Sequence, residues 1–385
     1  MKQLFRKIKN HFGIDAPGDV YFRYLTRPER IYNIIKYILY KNKLMANLPY
    51  LPMTLMVEVS TRCNLQCPGC ERQLYQSDPN LGGIPKETVK LENIKILGKI
   101  LPYIYSTYFV GGLGEPLLNK EFWEIHKFFK SFKMVTGYVS NGMLITEDQV
   151  KKTIDEDVNR VLISIDSCIK EKYENIKKNA SFEKAVEVVK MFAYYKKQLK
   201  ANRFQIGLNY ILRSDNYKET LDYLDFARSL GAKYIMFTSF ITHIEGEKEK
   251  SFFLVDNAEK EELFNKIREK AKQLRISIRL PKIAPYPGCI CNWLWHGACV
   301  FYNGDVCACP FFRTKREFYY HTTEKYNIIC DKTICEDTIL GNYSTQDFLS
   351  EIWNGPKALA IRKAELCGNF QFNPCGSCYY KHDLH

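Results

Sequence analysis

Nowhere in these 385 residues does an apolar run reach the length and continuity that a bilayer span requires. The basic start MKQLFRKIKNHFG also has neither the unbroken apolar core nor the small-residue cleavage site of an export signal. The first absence excludes a transmembrane helix, and the second predicts a cytoplasmic protein. Acidic excess is missing too: 56 Lys and Arg stand against 43 Asp and Glu, a formal net charge of +13. That balance suits an anionic partner such as a phosphorylated metabolite, a lipid headgroup or a nucleic acid. No nucleic-acid-binding module accompanies the charge. A large chain without an export signal has little use for a disulfide framework, so its 14 cysteines read as metal ligands.

What is present is a periodic chain, 46% hydrophobic and long enough for a barrel joined to a smaller domain. Strand-like runs fall at 55–59, 107–110, 135–140, 160–165, 204–212 and 234–238. Longer amphipathic stretches such as 89–104, 120–132 and 181–197 suit helices between them. Six alternations of strand and helix predict an α/β fold with a parallel sheet. In such barrels the chemistry gathers at the C-terminal strand ends. Ten of the 14 cysteines crowd between Cys289 and Cys378, where the alternation has stopped. The expected division is a basic helical lead-in (1–52), a core barrel (53–284) and a cysteine-rich domain (285–385).

Directly after the first strand, MVEVSTRCNLQCPGC places Cys63, Cys67 and Cys70 within eight residues. Three thiolates at this spacing can hold three irons of a 4Fe-4S cube. No fourth cysteine lies nearby, so the fourth iron is left for an outside ligand. The competing reading is half of a structural zinc site closed by distant Cys or His ligands.

The triplet resembles that of the radical S-adenosylmethionine (radical SAM) enzymes. The resemblance implies a partial (β/α)6 TIM-like barrel with the cysteine loop at the end of the first strand. It also implies a cluster whose open iron chelates SAM, and reductive cleavage of SAM to a 5'-deoxyadenosyl radical that abstracts hydrogen from a substrate C–H bond. After the second strand, GGLGEPLL is similar to the family's SAM-amino motif, which gives Gly112, Gly114 and Glu115 contacts to the SAM ammonium. The alternative is an ordinary strand-to-helix turn. Ser140 and Asn141 after the third strand, and Ser164 and Asp166 after the fourth, match positions from which relatives hold the rest of SAM. Asn209 and Arg213 are weaker candidates, and Asp166 is open to the alternative role of helix cap. One departure stands out. Relatives often carry an aromatic or large apolar residue before the third cysteine, and this chain has Gly69, so no adenine-stacking residue is assigned.

Further on, CNWLWHGACVFYNGDVCACP and a later CGSC resemble the SPASM/twitch extension of these enzymes. By position the resemblance assigns an auxiliary 4Fe-4S cluster to Cys291, Cys309, Cys375 and Cys378. Cys289, Cys299, Cys307, Cys330, Cys335 and Cys367 form a second tier. They leave open one or two auxiliary clusters, a zinc site, or buried thiols. Cys168 and His243 are the candidates for a hydrogen donor or a substrate contact, and each also reads as a bystander.

The functional expectation is net oxidation or bond formation at an unactivated C–H bond, with a flavodoxin or ferredoxin as reductant. The substrate is left as an anionic small molecule, a lipid or a peptide. Maturation of a ribosomal peptide by the same chemistry and a non-catalytic iron-sulfur electron carrier are the alternatives. The lead-in RIYNIIKYILYKNKLMANL is amphipathic and basic. It reads either as an interfacial helix making peripheral membrane contact or as a structural helix across the barrel.

Overall fold

The computed structural model describes residues 24–77, 87–240, 244–281, 283, 291–309, 316–324, 327–335 and 338–367. Six parallel strands form its centre, each within one residue of the expected bounds: β1 (Thr54–Glu58), β2 (Ser106–Val110), β3 (Val135–Ser140), β4 (Arg160–Ser164), β5 (Gln205–Leu212) and β6 (Tyr234–Ser239). Both faces of the parallel sheet of such a barrel are covered, the outer by helices and the inner by the barrel interior, so its strands are apolar almost throughout. β4, RVLIS, is buried at every position.

The crossover helices include α3 (Phe122–Ser131), α4 (Glu147–Asp155), α5 (Lys170–Ile176), α6 (Phe182–Gln198), α7 (Thr220–Ser229) and α8 (Asn257–Leu274). The start of α6 is set by Ser181, whose Oγ accepts a hydrogen bond from Lys184 N at 3.1 Å. The expected helix over 89–104 is instead one α-turn, Leu91–Ile94, followed by a 3-10 turn, Lys95–Lys99. Gly98 lowers helix propensity in its middle and Pro102 cuts off its end.

The sheet does not stop at the six strands. Its order is β12-β9-β8-β1-β2-β3-β4-β5-β6-β7. β7 (Ser277–Arg279) extends one edge, and β8 (Gly297–Val300) pairs in parallel with β1 from Thr54↔Gly297 to Val57↔Val300. β9 (Asp305–Cys307) and β12 (Ile339–Asn342) follow β8, so part of the cysteine-rich region continues the sheet of the barrel. β10 (Arg316–Glu324) and β11 (Asn327–Cys335) form a separate antiparallel pair.

Helix α1 (Pro28–Tyr40) lies under the N-terminal ends of the strands. Its Arg30 is fully buried with no ion pair to a carboxylate among the described residues, and its guanidinium donates to the carbonyls of Ile104 (2.6 Å), Tyr24 (2.8 Å), Phe132 (2.9 Å), Leu101 (3.4 Å) and Lys133. Just beyond it, Trp295 Nε1 donates to Met45 O, Arg362 Nη1 to Ala46 O, and Trp353 Nε1 to Tyr50 O. Residues 24–52 of the lead-in are therefore stitched both to the barrel and to the C-terminal region. Among the described residues no helix is long and apolar enough to cross a membrane.

Candidate functional site

The three cysteines lie in the loop that leaves β1. Cys70 N donates to Cys67 O (3.1 Å), Gln73 N to Cys70 O (2.8 Å) and Leu65 N to the Cys63 Sγ (3.5 Å). Arg72, the first residue of α2 (Arg72–Ser77), ties the loop down by donating to Thr61 O and to Leu113 O (3.1 Å). Burial pushes all three thiols up, Cys70 to about 11. Thiolates here need nearby positive charge, which cluster irons bring when they bind. Among the described residues no three His, Cys, Asp or Glu side chains gather around one metal ion. A cube presents a separate iron to each thiolate and needs no such meeting point.

The glycine-rich turn after β2 is pressed onto this loop. Gly112 has φ of +56°, and a Cβ there would overlap the carboxylate of Glu58, which accepts from Leu113 N at 3.0 Å. A Cβ at Gly114 would run into the Ser60 and Arg62 carbonyls. Only glycine permits this contact, and it leads straight into Glu115, whose N donates to Arg62 O at 2.6 Å.

Glu115 is the centre of the arrangement. It is 2% exposed, and its Oε2 accepts from Asn141 N (2.9 Å) and its Oε1 from Leu117 N (3.4 Å), with the Ser140 hydroxyl also bonded to it. Burial raises its pKa from 4.5 to about 7 against those bonds. Among the described residues no lysine, arginine or histidine pairs with it. A buried carboxylate with hydrogen bonds but no cation is a ready partner for an ammonium group, which is the fit that SAM requires. Asn141 completes the link: its Nδ2 donates to Asn64 Oδ1 in the cysteine loop at 2.9 Å. Cysteine loop, glycine turn and Ser140–Asn141 turn thus form one bonded unit.

The later strands contribute differently. Asp166 neither caps a helix nor offers a free carboxylate. Its Oδ1 accepts from Ile211 N (2.9 Å), and its Oδ2 pairs with Lys177 Nζ (2.8 Å). The pair stands against the cysteine loop, since Gln66 N donates to Lys178 O at 3.1 Å. Ser164 is buried beside Asn209 in register, and the Asn209 Oδ1 is buried with no hydrogen-bond partner among the described residues.

Gly69 has a neighbour that its sequence position does not reveal. A Cβ there would lie 2.7 Å from the ring of Phe240, at the end of β6. The Arg213 guanidinium sits 4.7 Å from that ring's centre, braced by Asp215 at 2.9 Å and Glu247 at 3.4 Å. An aromatic ring from the end of β6 thus stands against the cysteine loop at the position where the loop itself carries glycine. A cavity of about 410 Å³ opens alongside, lined by Pro68, Gly69, Lys172, Arg213, Asp215 and Glu247 among others. That is the size of a small-ligand site.

Among the remaining candidates, Cys168 packs against the core with its thiol pushed up to about 11, by burial first and then by Glu219. Cys299 and Cys307 face each other across β8 and β9 in a buried cluster with Trp293 and Phe301, and burial raises the Cys299 thiol. Cys291 N donates to Glu365 Oε1 (2.8 Å), Cys309 N donates to Thr338 Oγ1 (3.2 Å), and Cys367 is exposed at the end of α9 (Pro356–Cys367). Cys330 and Cys335 lie on β11, opposite His321 and Arg316. His243, Cys289, Cys375 and Cys378 lie outside the described residues.

Sequence reasoning missed Glu58, Asn64, Arg72, Lys177 and Phe240. Only Glu58 carried a signal, as a lone charge inside an apolar strand.

Residues 57–201 match the sequence model of the radical SAM superfamily, and residues 289–379 match that of an iron-sulfur cluster-binding domain, SPASM. The tungsten-containing aldehyde ferredoxin oxidoreductase cofactor-modifying protein of Pyrococcus furiosus is 22% identical over 330 residues, covering 84% of this chain and 86% of that protein. A probable GTP 3',8-cyclase of Methanocaldococcus jannaschii is 27% identical, covering 46% of this chain and 56% of the relative. The PqqA peptide cyclase of Granulibacter bethesdensis is 25% identical, covering 47% and 45%. The chain thus spans about half the length of these last two. Streptococcus suis SuiB bound to S-adenosylmethionine superposes with a TM-score of 0.61 at 14% identity over 91% of this chain and 76% of that one. anSMEcpe with bound AdoMet gives 0.58 at 17% identity, over 87% and 85%. These likenesses show a shared fold.

Proposed function

From a chain that belongs to the radical SAM superfamily and carries a SPASM domain, we propose an oxidoreductase or C–H functionalising enzyme that matures a peptide or a cofactor precursor. The cofactors of such an enzyme are a SAM-binding 4Fe-4S cluster, SAM and auxiliary iron-sulfur clusters. When bound, the cluster supplies the electron that cleaves SAM to the 5'-deoxyadenosyl radical, which takes hydrogen from a substrate C–H bond.

The chain's own residues do the positioning. Cys63, Cys67 and Cys70 are assigned to the cluster, and Leu65 N, which donates to Cys63 Sγ, stabilises a thiolate there. Glu115 is assigned the SAM ammonium, with Ser140 and Asn141 holding its carboxylate in place. Asn209, whose Oδ1 has no hydrogen-bond partner among the described residues, is assigned a hydroxyl of the ribose, with Ser164 beside it. Asp166 is given an indirect part: it holds Lys177 against the cysteine loop. Residues 53–284 form the SAM-binding part, and 285–385, with Cys291, Cys309, Cys375 and Cys378, hold an auxiliary cluster. A cytoplasmic flavodoxin or ferredoxin supplies the electron.

The observation that carries the reading is Glu115, a buried acid with no cation beside it among the described residues, bonded into the same unit as the cysteine loop. The peptide or cofactor class rests on the names of relatives, among them the PqqA peptide cyclase and mycofactocin maturase MftC. The test is anaerobic reconstitution, with iron and sulfide counted per chain and 5'-deoxyadenosine measured from SAM under reductant. Loss of the product in a Cys63→Ala, Cys67→Ala, Cys70→Ala variant supports the assignment. Fully loaded clusters that never cleave SAM would return the chain to the electron-carrier reading.

A further inference from the structure

Helix α1 buries one mixed polar and apolar face against the barrel and leaves a second, apolar face uncovered. Arg30, Asn33, Ile34 and Tyr37 are buried against the strand ends. On the other side Ile31 (40%), Tyr32 (57%), Ile35 (43%) and Leu39 (59%) are exposed, and Met45 (38%) follows just beyond. Residues 31, 35 and 39 are four apart, so they form one stripe along the helix, with Tyr32 beside it. Packing of α1 on the barrel does not require this stripe. Four large apolar side chains on one exposed helix face lose hydration free energy unless something covers them.

Charge says what the cover is. Lys36 lies 4.3 Å from the centre of the Tyr32 ring, Lys43 lies 4.6 Å from that of Tyr40, and Lys41, at the end of the helix, lies 5.7 Å from that of Tyr37. Residues 1–43 hold ten Lys and Arg against three Asp and Glu, so +7 of the chain's +13 falls in about its first tenth. A second copy of this face would bring like charge against like charge. An apolar stripe flanked by lysines and a tyrosine is the composition of a helix lying in a lipid headgroup layer. We infer that α1 docks the protein on an anionic phospholipid surface, with Ile31, Tyr32, Ile35 and Leu39 entering the headgroup layer and Lys36, Lys41 and Lys43 facing its phosphates. α1 sits under the N-terminal strand ends, whereas the cysteine loop leaves the C-terminal end of β1. Docking therefore tethers the enzyme and leaves the candidate site facing away from the membrane.

The test uses the full-length, reconstituted protein and co-sedimentation with vesicles of phosphatidylcholine, with and without phosphatidylglycerol. The expected result is binding to the anionic vesicles alone, weakening as salt rises. A variant with Ile35→Glu and Leu39→Glu should lose it while keeping its iron content and its 5'-deoxyadenosine formation. Replacing Lys36, Lys41 and Lys43 by Gln should weaken partitioning by about fivefold per lysine, roughly a hundredfold together. Three results would overturn the inference: no binding to either vesicle, equal binding by the glutamate variant, or a dimer in solution that this variant dissociates. None of them bears on SAM cleavage, so the reading of the active site stands or falls separately.

Discussion

Replacing Glu115 by Gln separates what the carboxylate costs the fold from what it contributes to binding. In the cluster-free protein the acid is buried, and its pKa rises from 4.5 to about 7. A raised carboxylate pKa means that the unfolded chain ionises first. The penalty is therefore absent below pH 4.5, grows between pH 4.5 and 7, and is complete above 7. At 1.36 kcal/mol per pH unit, the full penalty is about 3 kcal/mol. Glutamine removes it, and leaves one of the N–H groups of Asn141 and Leu117 facing an amide NH2, which costs about 1 kcal/mol. The variant should therefore be more stable than the parent by about 2 kcal/mol at pH 8 and about equal to it at pH 5. Urea denaturation of both cluster-free proteins at the two pH values reads this directly. The reconstituted Glu115→Gln protein should bind SAM at least tenfold more weakly in equilibrium dialysis, since a buried ammonium loses its counter-charge. An offset that is the same at both pH values would refute the electrostatic argument. Undiminished SAM binding would refute the assignment of Glu115 to the ammonium.

Gly114→Ala places a methyl group against the Ser60 and Arg62 carbonyls. The expected result is a loss of several kcal/mol in stability together with loss of the SAM-induced change in the cluster's electron paramagnetic resonance spectrum. Gly69→Ala should destabilise by roughly 1–3 kcal/mol through the Phe240 ring. Phe240→Ala in the same chain should recover about 1 kcal/mol or more of that loss, and additive costs in a double-mutant cycle would contradict the contact. Arg30→Met leaves five backbone carbonyls without their buried donor, so a destabilisation of about 3 kcal/mol or more is expected in thermal or urea unfolding. SAM binding should survive that change wherever the protein still folds.

The six central strands are legible in the amino-acid pattern, as is the order in which cysteine loop, glycine turn and Ser140–Asn141 turn follow them. Runs such as RVLIS and VTGYVS are buried on both faces, so their character is written in local composition. The chemistry-bearing turns follow directly after strands, where the chain must leave the sheet. The helix expected over 89–104 is cut short because the amphipathic pattern outlasts what Gly98 and Pro102 allow. The rest depends on contacts between distant segments. β8 joins β1 although about 240 residues separate them, and no local pattern records such a pairing. Phe240 fills the space beside Gly69 from the far end of the barrel, and Asp166 is committed to Ile211 and Lys177. Arg30 reads in sequence as one more surface charge, yet it is buried under the strand ends. Periodicity reports which residues a strand or helix hides. It does not report what they are hidden against, because that depends on contacts between segments distant in the chain.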